Sequence, residues 1–223
     1  RIMKSLFITL TIVSNLVFAG TKEYIVGSGS EFKFIGNKGE NVSLSIYVSE
    51  SSFNKLGIEY FFSATNSFIP VQVWQQYQMG IKEKGLSLDA GYVLSDDMKS
   101  PEIMNQEFMK NNPDGVDVTD FFFQKQTDID KFKIGNEQIE VPAGSIQTTH
   151  YRKNRDKQTV DFWISDAAGA IGLVKLISKG QNADEHNYTI ELMSLLKNVK
   201  PKIDPKNAVP LSDKGRRFLG KKK

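Results

Sequence analysis

The chain reads as a mostly β protein (α+β): an antiparallel twisted sheet or half-barrel with a short covering helix. Three observations predict it. Apolar and polar residues alternate over several long stretches, the connections carry turn chemistry, and one isolated segment shows a helical pattern.

The alternation comes first. Val42, Leu44, Ile46 and Val48 alternate with Ser43, Ser45 and Tyr47, and Ile58, Tyr60 and Phe62 alternate with Glu59 and Ser63, Phe61 being the exception. Val71 and Val73 alternate with Gln72 and Trp74, and Leu86, Leu88, Ala90, Tyr92 and Leu94 form another face. Val160, Phe162 and Ile164 oppose Thr159, Asp161 and Trp163. A period of two gives each strand one dry and one largely wet face. Trp74 and Trp163 fall on the polar phase and are expected on the face away from the main core.

The turns come next. Ile134-Gly135-Asn136-Glu137 reads as a two-residue hairpin with glycine first, as a type II′ turn prefers. Val141-Pro142-Ala143-Gly144, residues 153–157 and residues 179–184 read as further turns. Their spacing predicts a meander of strands near 145–152, 158–165, 171–178 and 187–196. Gly27-Ser28-Gly29-Ser30 reads as a flexible opening to the domain.

The helix is expected to begin at Ser100 as N-cap, with Pro101 at the first helical position and Glu102 favouring the positive end of the helix dipole. Ile103, Met104, Phe108 and Met109 would form its apolar stripe, and Asn111-Asn112-Pro113 would stop it.

The ends differ from this body. Arg1 and Lys4 precede an apolar stretch from Leu6 to Phe18, and Val17 and Ala19 supply small residues before Gly20. This is the pattern of a cleavable signal peptide over 1–19, and the stretch is shorter than the roughly 20 residues a spanning helix needs. Gly20 stands where a bacterial lipoprotein would carry its lipidated cysteine, and the chain has no cysteine. A soluble periplasmic location without a lipid anchor, a disulfide or a thiolate site is therefore expected. A single antiparallel domain is expected over 20–200 and a disordered basic tail over 201–223. The net charge of +3 is unevenly spread: residues 197–223 carry about +8 and the signal segment +2, leaving the body near −7.

Candidate chemistry is sparse. The histidines are His150, in a strand, and His186, in the loop Asp184-Glu185-His186; no Gly-x-Ser-x-Gly elbow occurs. Asp96-Asp97, Asp128 with Asp130, and the acidic run 114–120 do not match a calcium-loop spacing. A Ser-His-Asp site is spatial, so a hydrolase would need a buried cleft uniting His150 with a carboxylate. No enzyme, cofactor or metal is expected on these grounds.

The aromatics Phe61, Phe62, Trp74, Tyr77, Phe121, Phe122, Phe123, Phe162 and Trp163 are many for a body of this size. Most would pack the core, yet an apolar face too large for one helix to cover leaves a groove. Ile46, Tyr60, Phe62, Phe162 and Ile164 on the sheet, with Met104 and Phe108 on the helix acting as a lid, are the expected ligand-binding residues. Methionine suits such changing contacts.

The segments Ile139–Tyr151 (IEVPAGSIQTTHY), Thr159–Asp166 (TVDFWISD) and Gly172–Lys175 (GLVK) resemble the C-terminal half of a class of bacterial periplasmic β proteins. That class looks related to the LolA/LolB-like lipoprotein carriers. The resemblance covers about 60 residues and its motifs are structural: a turn glycine, a strand tryptophan and core positions. It implies an antiparallel half-barrel wrapped around helices with a hydrophobic cavity, and it transfers no partner-binding residue.

The expectation is a non-enzymatic periplasmic protein that binds a lipid, a lipidated protein or another hydrophobic small molecule in its concave sheet. The alternative is a cell-envelope structural or assembly factor that docks a protein partner. The basic tail is a candidate contact for an anionic membrane surface, where each cation is worth about 1 kcal/mol. Nucleic acid is not expected as a partner.

Overall fold

The structure, a computed structural model, describes residues 24–36, 41–64, 71–82, 85–105, 129–155, 158–180, 187–217 and 219. The proposed signal segment 1–19, Phe108, Met109, the acidic run 114–120, Phe121–Phe123 and His186 lie outside them.

The described residues form one twelve-stranded open sheet. The strands are β1 (Gly29–Gly36), β2 (Asn41–Ser52), β3 (Lys55–Ala64), β4 (Val71–Lys82), β5 (Gly85–Ser95), β6 (Glu102–Ile103), β7 (Lys133–Val141), β8 (Gly144–Arg155), β9 (Gln158–Ile164), β10 (Leu173–Gly180), β11 (Tyr188–Leu196) and β12 (Val209–Pro210). Their spatial order is β12-β6-β5-β4-β3-β2-β1-β11-β10-β9-β8-β7. Every pairing is antiparallel except the short parallel contact of β12 with β6. Two meanders, β1–β5 and β7–β11, thus meet where β1 pairs with β11. The fold is mostly β with only short helical turns, as the alternation predicts.

Directly paired residues share a face of the sheet. Ile46 faces Tyr60, Leu44 faces Phe62 and Phe32, Phe34 faces Ile190, and Leu176 faces both Ile190 and Phe162. This is the inner face, and it carries most of the core. The opposite rows read Tyr47, Glu59, Gln76 and Tyr92; Phe61, Trp74 and Leu94; and His150, Trp163, Lys175 and Glu191. Both tryptophans therefore lie on the outer face, as their phase predicts.

The sheet curls. The Ala143 N–H, in the turn between β7 and β8, donates to the Leu192 carbonyl on β11 at 3.1 Å. β8 is three places from β11 in strand order, about 14 Å across a flat sheet at 4.7–4.9 Å per strand. Only bending brings them together. The turn itself is the expected one: Val141 pairs Gly144, and Gly144 has φ 119°, a conformation that glycine adopts without a Cβ clash.

Four expectations are corrected. The Ser100 helix does not form over its described residues: Glu102 and Ile103 are strand β6, Ile103 pairs Tyr92, and the Met104 N–H donates to the Gly91 carbonyl at 2.8 Å. Sheet pairing and the Glu102 contacts below override the helix-start signals, which are local and weak by comparison. Gly135-Asn136 is not a hairpin; it lies inside β7 beside a bulge. Gly29 and Ser30 are not a flexible lead but open β1, buried against β2 and β11.

The fourth correction concerns the tail. Asn198, at φ 58°, turns the chain after β11, and Val199 then donates to the Gly27 carbonyl. Asn tolerates this left-handed conformation better than most residues. Residues 199–210 cross the outer face of β2–β5 as a strap: Ile203 is buried, Asp204 caps the turn Pro205–Asn207, and Val209–Pro210 joins β6. A short helix, Asp213–Arg217, follows. Composition reads as disorder here because few large apolar side chains are present. The strap is held instead by backbone hydrogen bonds to buried carboxylates, which composition does not reveal.

Candidate functional site

The residues expected to bind a ligand divide in two. Ile46, Tyr60, Phe62 and Met104 are no more than 3% exposed and are core. Tyr60 packs edge-on against Tyr77. Phe162 and Ile164, on β9, belong to the same inner face but are only partly buried. Phe162 stacks on Tyr151, with ring centroids 5.2 Å apart. The sheet thus brings the expected residues of β2, β3 and β9 onto one face, and those on β9 keep partial exposure.

Glu59, absent from the expected site, is the most buried carboxylate described, at 0% exposure. It lies on the outer row between Tyr47 and Gln76. Oε1 accepts from the Tyr47 hydroxyl at 2.5 Å and the Lys202 N–H at 2.8 Å. Oε2 accepts from Gln76 Nε2 and the Ile203 N–H, each at 3.1 Å. Gln76 Nε2 also donates to the Ile203 carbonyl. A buried carboxylate persists where its lone pairs are met, and here four donors meet them. Burial raises its pKa, and the four hydrogen bonds oppose that rise. Burial and the neighbouring Glu59 charge also raise the Tyr47 phenol above its usual value. A second clamp lies further on: Glu102 accepts from both the N–H and the hydroxyl of Ser212. Gly215, in the short helix that follows the strap, lies close against this carboxylate, and a Cβ there would push the Glu102 side chain aside.

Sequence reading misses Glu59 because it looks like an ordinary solvent-facing member of an alternating strand. Its partners emerge only when register brings Tyr47 and Gln76 beside it.

On the outer face of the other half, His150 is stacked on Trp163 at 4.3 Å between centroids. His150 Nε2 is 2.7 Å from Asp161 Oδ1, and Nδ1 is 3.0 Å from Glu137 Oε1. Trp163 Nε1 donates to the same Glu137 oxygen, and Arg152 Nε donates to Asp161 Oδ1. His150 does meet a carboxylate, as a hydrolase would need. However, each ring nitrogen faces a carboxylate oxygen, which leaves no ring edge for a nucleophile's hydroxyl. The two carboxylates also sit at opposite edges of the ring rather than converging on one point. Among the described residues no group of three or more His, Asp or Glu side chains is placed to hold a metal ion.

Clefts open on the surface among the described residues. One, of about 470 Å³, is lined by Arg152, Asp161, Lys179 and polar neighbours. Another, of about 640 Å³, lies between the outer face and the strap. Trp74, Leu94 and Met98 contribute its apolar surface, and Asp96, Lys99, Lys202, Asp204 and Asn207 its polar groups. None of the expected ligand-binding residues lines either cleft.

No protein-family model matches the chain. No curated protein matches it closely enough to be counted a relative. Among solved structures it is similar to a chain provisionally assigned as a lipoprotein from Parabacteroides distasonis, at 10% identity and TM-score 0.37, covering 78% of this chain and 97% of that one. It is also similar to a chain provisionally assigned as an exported protein with YmcC-like fold from Bacteroides fragilis, at 11% identity and TM-score 0.38, covering 79% of this chain and 99% of that one. No helix among the described residues is long and apolar enough to cross a membrane.

Proposed function

We propose that the chain is a non-enzymatic periplasmic protein that seats an apolar group, such as the acyl chain of a lipid or a lipidated protein, against the inner face of its sheet. The observation that carries this reading is the partial exposure of Phe162 and Ile164 on the face that carries most of the core. An apolar ligand that covers them removes water from surface the fold leaves wet, at roughly 25 cal/mol per Å². Phe162 and Ile164 lie within the segment resembling the periplasmic β class related to LolA/LolB-like carriers, whose fold implies a hydrophobic cavity. The binding residues are therefore narrowed to the β8–β9 end, with Ile46, Tyr60, Phe62 and Met104 acting as scaffold.

Fluorescence titration of the full chain with cis-parinaric acid tests this. Phe162→Asp should weaken binding about tenfold or more, equivalent to about 1.4 kcal/mol, while Met104→Ala lowers stability and leaves affinity unchanged. A wild-type chain that does not bind the probe, or equal loss in both variants, overturns the reading.

A second reading is docking of an envelope protein or an anionic surface through the C-terminal basic residues. It is favoured by the exposure of Lys200, Lys202 and Lys206 on the strap. Its signature would be salt-sensitive binding that survives Phe162→Asp.

A further inference from the structure

We propose that the cleft between the outer face of β4–β5 and the C-terminal strap binds a short uncharged oligosaccharide. This goes beyond the apolar site of the inner face and uses none of its residues.

The cleft has one rigid aromatic wall. Trp74 is paired with Phe61 across β3–β4 and stacked on it, centroids 4.8 Å apart at 24°. Its other strand neighbour in the same row is Leu94, which is buried. The indole is therefore held in place, and Met98 continues the apolar surface beside it. The ammonium of Lys202, on an exposed side chain, lies over the ring 5.6 Å from its centroid, and a sugar stacked on the indole takes its place.

The polar groups decide the ligand class. Lys99 and Lys202 are balanced by Asp96 and Asp204, so the cleft has no net formal charge and favours neither an anion nor a cation. Donors and acceptors are both present, with the amides of Gln72 and Asn207 adding one of each kind. A lipid tail would displace water from these groups without offering them hydrogen bonds in return. A pyranose fits all three features: one flat C–H face for the indole, a rim of hydroxyls that both donate and accept, and no charge. About 640 Å³ lies within the range of small-molecule sites.

The site is also built rather than incidental. Lys202, Asp204 and Asn207 come from the strap, and the Glu59 clamp fixes Lys202 through its backbone N–H. Asp204 is held by its own cap to Lys206 and by Asn207. The wall and the rim are thus positioned by separate devices that meet at the cleft.

Saturation-transfer NMR and calorimetry on the full chain, with maltotriose, cellotriose and N-acetylchitotriose as probes, test the proposal. Trigalacturonate and the glucosamine trimer serve as charged controls. At least one neutral trisaccharide should bind, in roughly the millimolar range or tighter, and Trp74→Ala should abolish the transfer. Because that variant also strips Phe61 of its stacking partner, Asp96→Ala, at an exposed position, is the second variant and should weaken binding about tenfold at unchanged melting temperature. Absence of transfer to all three neutral sugars, tighter binding of a charged trimer, or binding that survives both variants overturns the proposal.

Discussion

The two halves of the sheet bury opposite faces to different depths. In β2–β5 the inner face is closed, with Ile46, Tyr60 and Phe62 fully packed, and the outer face is roofed by the strap that Glu59 clamps. In β7–β9 the outer face carries the tight His150–Trp163 network, while the inner face leaves Phe162 and Ile164 partly open. The difference teaches where function can reside. A half with a closed inner face and a strapped outer face offers a ligand only the cleft beside the strap, whereas a half with a partly open apolar face offers one on the sheet itself.

The largest expected effect breaks the closed half. Glu59→Ala removes the acceptor for Tyr47, Gln76 and two strap N–H groups. We expect a loss of about 3 kcal/mol in urea unfolding, with hydrogen exchange accelerated first at Lys202 and Ile203. A loss below about 0.5 kcal/mol would mean the strap does not depend on this clamp.

Glu59 also gives the closed half its own pH dependence. Burial raises its folded pKa above the ordinary glutamate value near 4.3. A raised acid favours the fold most when protonated, so its contribution is present below the unfolded pKa and is lost as pH rises through the folded one. The stability of the wild type relative to Glu59→Gln should therefore fall as pH is raised through that window. A difference that does not vary with pH would contradict the assignment.

The smallest effect probes the open half. His150→Ala removes the stacking on Trp163 and leaves Glu137 and Asp161 with Trp163 Nε1 and Arg152 respectively. A cost of about 1 kcal/mol is expected, because both carboxylates keep a partner. Binding of parinaric acid should be unchanged, since His150 lies on the opposite face from Phe162. Loss of binding here would place the ligand on the outer face.

Much of this architecture is legible in the sequence, for physical reasons. Alternation marks a strand whenever one face is dry, which is why β2–β5 and β8–β11 stand out and why the phase of Trp74 and Trp163 assigns their face. It fails where long-range partners decide. Phe32 and Phe34 alternate too, but the glycines before them suggest a loop until β11 is in place. Ser100, Pro101 and Glu102 satisfy every local rule for a helix start, yet Glu102 is engaged by Ser212, over a hundred residues away. The strap carries little apolar surface, so its order rests on Glu59, which no local pattern distinguishes from Glu31 or Glu191. For the ligand site, periodicity gathers Ile46, Tyr60, Phe62, Phe162 and Ile164 onto one face but cannot say which of them the curl seals.

The most direct test of the contrast between the halves is photolabelling of the full chain with a diazirine-bearing fatty acid, mapped by peptide mass spectrometry. The account predicts labels concentrated on β8–β9 around Tyr151, Phe162 and Ile164. Labels concentrated on β2–β3 around Ile46, Tyr60 and Phe62 would contradict it, showing that the closed half opens to ligand.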